Sequence, residues 1–324
     1  MIAFVINRIV QTLIALMVVS VALFLAVYAI GNPVDILIHP DASAEDIAQA
    51  TERLGLDQPL WLQYFTFIGN LLQGNLGTSF FYGQPALDLV WQRLPATLEL
   101  AVFALILVIV ISVPLGLIAG LRPNAWYSKL IMGISICGFS LPGFWLALML
   151  LLLFSVTLGW LPSGGRGPTE ELWGMRLTII AEGGWQYMLM PALVLASTKA
   201  ALVMRLVRAG VRETLYSDYI KFARAKGLPQ RRVIWVHLMR NIMIPVITVL
   251  GMEFGQLMAA TIVTETIFAW PGLGKLLIDS LFQLDRPVLV AVVMTAVTLV
   301  ILVNLTVDLI ATALDPRLRR GRNR

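Results

Sequence analysis

The sequence predicts an all-α membrane protein with six transmembrane helices and an extracytoplasmic subdomain after the first helix. Three observations support this prediction. Of the 324 residues, 58% are hydrophobic and 13% are charged, whereas about a quarter of an ordinary soluble domain is charged. Six apolar stretches are long enough to cross about 30 Å of hydrocarbon as helices. Basic residues gather in alternate connections between these stretches, a pattern typical of membrane-inserted helices.

The first stretch, 9–30, has 22 residues without a charge, about 33 Å as a helix. We expect this helix to be retained, because it exceeds a signal-peptide core and no small-residue cleavage site follows it. The later stretches lie at 96–121, 130–161, 188–207, 242–268 and 288–313. The third of the six is longer than a bilayer requires, and Gly138, Pro142 and Gly143 within it predict a kink.

Residues 32–93 are polar and carry seven acidic against two basic side chains, which predicts the extramembrane subdomain. A short helix is expected here. Ser43, followed three residues later by Asp46, is typical of a helix start, and Gly55 lies where the helix could end. The predicted organisation is residues 1–95 for the first helix and this subdomain, 96–314 for a five-helix core with a cytoplasmic loop at 208–241, and 315–324 for a basic tail.

Orientation follows from the basic residues. With both termini in the cytoplasm, 17 of the 24 Lys and Arg residues lie on the cytoplasmic side and six on the other, as the positive-inside rule requires. The remaining one, Lys199, lies within the fourth helix. We expect the basic tail to contact anionic lipid rather than nucleic acid.

Few residues could support metal or nucleophilic chemistry. The single cysteine, Cys137, excludes an intrachain disulfide, and the two histidines, His39 and His237, are far apart in sequence. The sequence also contains no spaced Ser/His/Asp or paired-carboxylate constellation. We therefore expect neither a metal site nor an enzyme active site in this chain.

The cytoplasmic loop 208–241 is the most informative stretch. Ser217 is a candidate N-cap, Asp218 suits a helix amino terminus, and Gly227 followed by Pro229 ends the helix after about ten residues. Helical spacing predicts one partner-facing surface formed by Tyr219, Phe222, Ala223 and Lys226. A basic loop lying on lipid is the simpler alternative.

The run Ala-Arg-Ala-Lys-Gly-Leu at 223–228 resembles the "EAA" coupling loop of ABC importer permeases, especially those for dipeptides, oligopeptides and nickel. The resemblance continues through Arg232-Val233, His237, Arg240-Asn241 and Pro245. Where that loop has its glutamate, this chain has Lys221. Two further segments, 96–100 (Ala-Thr-Leu-Glu-Leu) and 264–274 (Thr-Glu-Thr-Ile-Phe-Ala-Trp-Pro-Gly-Leu-Gly), resemble the same subfamily, so the likeness covers nearly the whole chain.

The resemblance implies a type I ABC importer permease fold in the bacterial inner membrane and an ATP-driven import of peptides by alternating access. It implies a second permease subunit, two cytosolic ATPase subunits that bind ATP and magnesium, and an extracytoplasmic solute-binding protein. The chain needs no cofactor of its own; its closest string to a phosphate-binding loop, 272–276, lacks the first glycine and the hydroxyl. ATPase coupling is expected from Ser217, Asp218, Tyr219, Phe222, Ala223, Ala225, Lys226 and Gly227.

Polar residues inside the apolar stretches are candidates for the translocation pathway, because exposed polar groups in hydrocarbon are costly. These candidates are Lys199, Glu253, Gln256 and Glu265. For Glu265, snorkelling or structural pairing near an interface is the alternative role, and for Glu99 such a structural role is the expected one. Two Gly-x3-Gly pairs, 116 with 120 and 251 with 255, predict close helix packing. Nickel chelates, glutathione or another small solute are alternative cargoes, and an autonomous channel or ion-coupled transporter is the alternative function.

Overall fold

Helices form almost all of the regular structure in this computed structural model, which describes residues 2–29, 43–53, 57–172 and 174–314. In chain order they are α1 Ile2–Ala29, α2 Ala44–Arg53, α3 Leu60–Leu72, α4 Ala86–Leu121, α5 Trp126–Ser140, α6 Gly143–Leu150, α7 Gly184–Leu215, α8 Asp218–Ala225, α9 Gln230–Arg232, α10 Met239–Ile267, α11 Leu273–Phe282 and α12 Arg286–Leu314. One π-helical segment, Leu151–Thr157, continues α6, and a second, Val233–Leu238, precedes α10.

Each predicted transmembrane stretch coincides with a helix or a helix pair. Within the described residues, four helical runs are long and apolar enough to cross a membrane: α4, α7, the run Gln230–Ile267 that ends with α10, and Arg286–Val307 of α12. The bent pair of α5 and α6 makes a fifth if its arms form one span. The first predicted stretch lies in α1, whose apolar segment Val10–Ala26 is shorter.

The break between α5 and α6 is sharper than the predicted kink. The two arms are bent by 104°, and Leu141 between them has an extended backbone with φ of −79° and ψ of 132°. Pro142 explains this conformation, because proline disfavours the helical region for the residue before it and offers no amide to the preceding turn. The helix therefore stops at Ser140 and a new one starts at Gly143.

The polar region after α1 contains the predicted short helix. It begins immediately after Ser43, as α2; Gly55, its predicted end, and the basic tail at 315–324 lie outside the described residues. A two-stranded antiparallel hairpin was not predicted. Its strands are β1, Glu170–Leu172, and β2, Met175–Leu177.

The chain forms two compact units, the first comprising Met1–Pro95 and Pro271–Ile301 and the second Ala96–Trp270 and Leu302–Arg324. In the first unit, Asp285 anchors the loop that precedes α4. Its buried carboxylate accepts hydrogen bonds from the Ser79 hydroxyl and from the backbone amides of Phe80 and Phe81, both at 3.3 Å. The loop is thereby held at the start of α12.

The second unit has a continuous apolar core between α4, α7, α8 and α10, to which Val108, Val207, Ile220 and Ile242 contribute. Glycines permit the close approach of α4 and α7. A Cβ atom at Gly116 would lie 2.8 Å from the Val207 Cβ, and one at Gly120 would lie 2.6 Å from the Val211 Cβ.

Gly251 similarly faces Val307, so α10 and α12 pack closely. Three of the four glycines in the Gly-x3-Gly pairs therefore serve packing inside the chain.

Candidate coupling and pathway sites

Helix α8 lies between α7 and α10, as the loop sequence predicts. Ser217 occupies the N-cap position with an extended backbone, and its hydroxyl donates to the Thr214 carbonyl at 2.6 Å. Asp218 is in the first turn, where its carboxylate interacts favourably with the helix dipole. The predicted start is confirmed, although the serine hydroxyl bonds backwards to α7 and not forwards to α8.

The predicted partner-facing surface of α8 needs one correction. Ala223 is buried with Ile220 in the core of the second unit, so it faces the chain's own helices and not a partner. Phe222 and Tyr219 are exposed, Phe222 by 61% of its surface. One side of α8 is therefore fixed to the core of the second unit, while the other presents two aromatic rings.

The carboxyl end of α8 is also shaped as predicted. Gly227 adopts a left-handed conformation with φ of 73°, and the amide of Leu228 donates to the Ala223 carbonyl at 3.3 Å. Lys226 turns back over Phe222, with its Nζ 4.6 Å from the ring centroid. Ala225, Lys226 and Gly227 are all exposed, so they extend the surface that begins at Tyr219.

The connection from α8 into α10 adds features that the loop pattern does not reveal. Asn241 donates a side-chain hydrogen bond to the Tyr219 hydroxyl and so links the exposed face of α8 to α10. In the π-helical segment, Val233 and Leu238 are buried while Trp235 is exposed. A π-helical turn shifts the register of these side chains, which periodicity at 3.6 residues cannot anticipate.

Three of the four predicted pathway residues come together. The Lys199 ammonium on α7 donates to the Glu253 carboxylate and, at 2.9 Å, to the side-chain Oε1 of Gln256, both on α10. The side chains of Lys199 and Glu253 are 11% and 19% exposed. This arrangement is a charge-balanced polar cluster between two long apolar helices, with a largely buried ion pair and an exposed Gln256.

Glu265 lies apart from this cluster. It is 0% exposed, and its Oε1 accepts a hydrogen bond of 2.7 Å from the Thr97 hydroxyl. Nine residues along α10 separate it from Gln256, about 13 Å along the helix axis. The burial of Glu265 and its hydrogen bond with Thr97 favour structural pairing over contact with a solute.

The two outer sequence matches meet in space. The indole of Trp270, which is fully buried, donates to the Ala96 carbonyl at 3.0 Å. Together with the bond between Thr97 and Glu265, this contact joins the segment at 96–100 to that at 264–270. The separate motifs are therefore two sides of one packing arrangement.

Glu99 organises a further cluster in the same unit. Its carboxylate accepts from Arg166 at 2.9 Å and from the amides of Thr178 and Ile179 at 2.6 and 2.7 Å. Arg166 also donates to the Arg176 carbonyl in β2. The structural role expected of Glu99 is confirmed. The role of Arg166 could not be predicted from the sequence, because Glu99 is 67 residues away and the hairpin that contains Arg176 was not predicted.

Comparison with known proteins identifies the family of this chain. The family described as binding-protein-dependent transport system inner membrane component matches residues 112–320, and the corresponding amino-terminal family matches residues 1–101. The chain is 36% identical to the dipeptide transport system permease protein DppB of Alkalihalophilus pseudofirmus, over 98% of this chain and 100% of the relative. It is 37% identical to the glutathione transport system permease protein GsiC of Escherichia coli K12, over 98% and 99%.

A di/tripeptide transport system permease protein, DppB of Pseudomonas aeruginosa, is 39% identical over 90% of this chain and 91% of the relative. Among solved structures, the inward-facing MetNI methionine ABC transporter has a chain that matches with a TM-score of 0.50 and 16% identity, covering 69% of this chain and 97% of that one. The latter likeness supports the fold alone. The chain belongs to the family of inner-membrane permease components of binding-protein-dependent ABC importers.

Proposed function

We propose that this permease forms half of a translocation pathway for di- or oligopeptides and couples it to ATP hydrolysis through α8. The observation that carries the proposal is the two-sided structure of α8, with Ile220 and Ala223 buried in the core and Tyr219 and Phe222 exposed. Such a helix can transmit force, because its outer face is available to a partner while its inner face is fixed to the transmembrane helices.

The partners in this proposal are a second permease, two cytosolic ATPase subunits and an extracytoplasmic solute-binding protein. The exposed aromatic rings of α8 would fill a groove on an ATPase subunit, as helices with apolar anchors do in other complexes. Closure of the ATPase subunits would then displace α8 and, with it, the ends of α7 and α10. Packed helices move as rigid bodies, so the pathway would open to one side of the membrane at a time.

The proposed orientation has both termini and α8 in the cytoplasm. The segment from Arg205 in α7 to Arg240 at the start of α10 supports it, since it carries nine of the chain's 24 Lys and Arg residues. In this orientation α8 faces the compartment that contains ATP.

The pathway proposal rests on the cluster of Lys199, Glu253 and Gln256. A peptide carries an amine and a carboxylate, and this cluster offers groups of both signs. Opposite charges held together keep the pathway neutral overall, which lowers the cost of placing them between apolar helices. Glu265 is assigned to packing with Thr97 and not to solute contact.

Peptides are proposed as the cargo because relatives similar over almost the full chain are named as dipeptide and di/tripeptide permeases. Glutathione is the second candidate, since a relative of equal coverage is named as a glutathione permease. Nickel chelates and other small solutes are further alternatives. Transport by the purified chain alone, without ATP, would instead favour an autonomous channel or ion-coupled transporter.

The test is a Phe222→Ala substitution in the complete transporter reconstituted in proteoliposomes. We expect ATP-dependent peptide uptake to fall about tenfold or more, as for loss of an aromatic anchor at an interface, while the amount of inserted permease is unchanged. Lys221→Ala is the matched control, because Lys221 is exposed on the same helix and pairs with Asp218 only at the surface. Equal uptake by both variants would refute docking through this face.

A further inference from the structure

Helix α3 has an apolar face that the described residues of this chain leave exposed. The helix lies in a stretch of 30 residues, between Asp57 and Asp88, that contains no charged residue. Trp61, Phe65 and Leu72 are exposed, Phe65 by 64% and Leu72 by 82% of their surfaces. At 100° per residue these three side chains project within about 40° of one another, so they form a single ridge, the α3 ridge.

The neighbouring side of α3 packs against α1. The Tyr64 hydroxyl is 2.9 Å from the Ser20 hydroxyl. The ring of Phe24 lies 5.5 Å from that of Tyr64 and 5.9 Å from that of Phe67, centroid to centroid. These contacts involve aromatic rings on one side of α3 and fix its place beside α1.

The contacts with α1 also indicate the depth of α3. Helix α1 ends at Ala29, so Phe24 and Ser20 lie about 7 and 13 Å inside that end, at 1.5 Å per residue. The residues of α1 from Ile9 onwards are free of charge, and Leu13, Met17 and Leu25 are exposed. The middle of α3, at Tyr64 and Phe67, therefore packs beside the apolar segment Val10–Ala26 of α1 and not beyond its end.

The third side of α3 is polar. Gln63, Thr66 and Asn70 project within about 60° of one another and away from the α3 ridge. The Thr66 hydroxyl donates a hydrogen bond to the Leu62 carbonyl, and the Gln63 side chain donates one to the Gln58 carbonyl at 2.8 Å. The helix thus has an apolar ridge, a side packed on α1 and an uncharged polar side, so it is amphipathic.

We propose that α3 lies in the membrane interface, with the α3 ridge inserted among the lipids of the leaflet that contains the carboxyl end of α1. Lipid fits better than a soluble partner, because α3 packs beside the apolar segment of α1, which itself carries exposed apolar side chains and no charge. With 13 residues, α3 is about 20 Å long, too short to cross the bilayer. It would instead hold the loop after α1 against the membrane.

The experiment measures the lipid exposure of spin labels on α3 in the assembled transporter in lipid nanodiscs. Cys137 is the only cysteine, so Cys137→Ser provides the background for single Phe65→Cys and Leu72→Cys variants. We expect nitroxides at both positions to collide several-fold more with oxygen, which concentrates in lipid, than with a water-soluble nickel chelate. Asn70→Cys, on the polar side, is the matched control and should show the reverse preference.

Two results would overturn the proposal. Labels at 65 and 72 that collide with the nickel chelate as readily as the label at 70 would place the ridge in water. Labels closed to both reagents would place the ridge against a protein subunit. Because the measurement reads lipid contact directly, it stands or falls independently of peptide uptake and of α8 coupling.

Discussion

Gly227 shows how one residue can determine the end of the proposed coupling helix. Its φ of 73° is accessible to glycine without strain, whereas a left-handed conformation costs other residues about 1 to 2 kcal/mol. A Cβ atom at this position would meet no heavy atom of the described chain within 4 Å. Backbone conformation, and not lack of space, therefore explains the need for glycine here.

This distinction predicts different outcomes for two substitutions at the same position. Gly227→Val should lower ATP-dependent uptake severalfold or more and leave membrane insertion intact, because a β-branched residue resists the left-handed conformation. Gly227→Asn should retain most uptake, since asparagine adopts this conformation more readily. Uptake assays on reconstituted transporter, normalised to inserted protein, measure both. Unchanged uptake in the valine variant would refute the importance of this turn for coupling.

At the scale of elements, α7, α8 and α10 form one mechanical assembly. Ile220 and Ala223 of α8 pack into the same core as Val207 of α7 and Ile242 of α10. Farther along the helices, the pair of Lys199 and Glu253 joins α7 to α10 again. Movement of α8 would therefore be passed to both long helices together.

The ion pair between α7 and α10 can be tested separately for a role in stability and for a role in transport. Lys199→Met alone leaves the Glu253 carboxylate in a nearly buried position and should lower the Tm, since removing one partner of such a pair is strongly destabilising. The double variant Lys199→Met with Glu253→Gln should recover most of the Tm. We expect its peptide uptake to stay reduced about tenfold, because the charges are lost from the pathway.

Thermal unfolding in detergent and uptake in proteoliposomes are the two measurements. Normal uptake by the stable double variant would assign the pair to structure alone. The single substitution Lys199→Met serves as the reference for destabilisation.

For the molecule as a whole, the distribution of basic residues supports one proposed orientation in the membrane. The chain is a multi-pass inner-membrane permease component. The proposed orientation places α8 in the cytoplasm and the turn after α11 on the other side. Both places offer exposed side chains, Lys226 beside α8 and Phe282 at the end of α11.

Orientation can be measured with single cysteines in the Cys137→Ser background. A membrane-impermeant maleimide should label Lys226→Cys only in inside-out vesicles and Phe282→Cys only in right-side-out vesicles. Both follow from the positive-inside rule. The opposite labelling pattern would invert the chain and remove α8 from any cytosolic ATPase.

The amino-acid sequence is sufficient to predict the membrane class, the places of the apolar helices and the approximate ends of α8. The length of a charge-free stretch predicts a membrane helix, and Ser217 and Gly227 predict the two ends of α8. These effects depend on neighbouring residues in the sequence, so they can be derived without the fold. Tertiary structure alone decided that Ala223 faces inwards, that Lys199 meets Glu253 54 residues away, and that Glu265 is buried against Thr97. These outcomes depend on which helices pack together, and helical periodicity describes the faces of one helix without specifying the neighbour of each face.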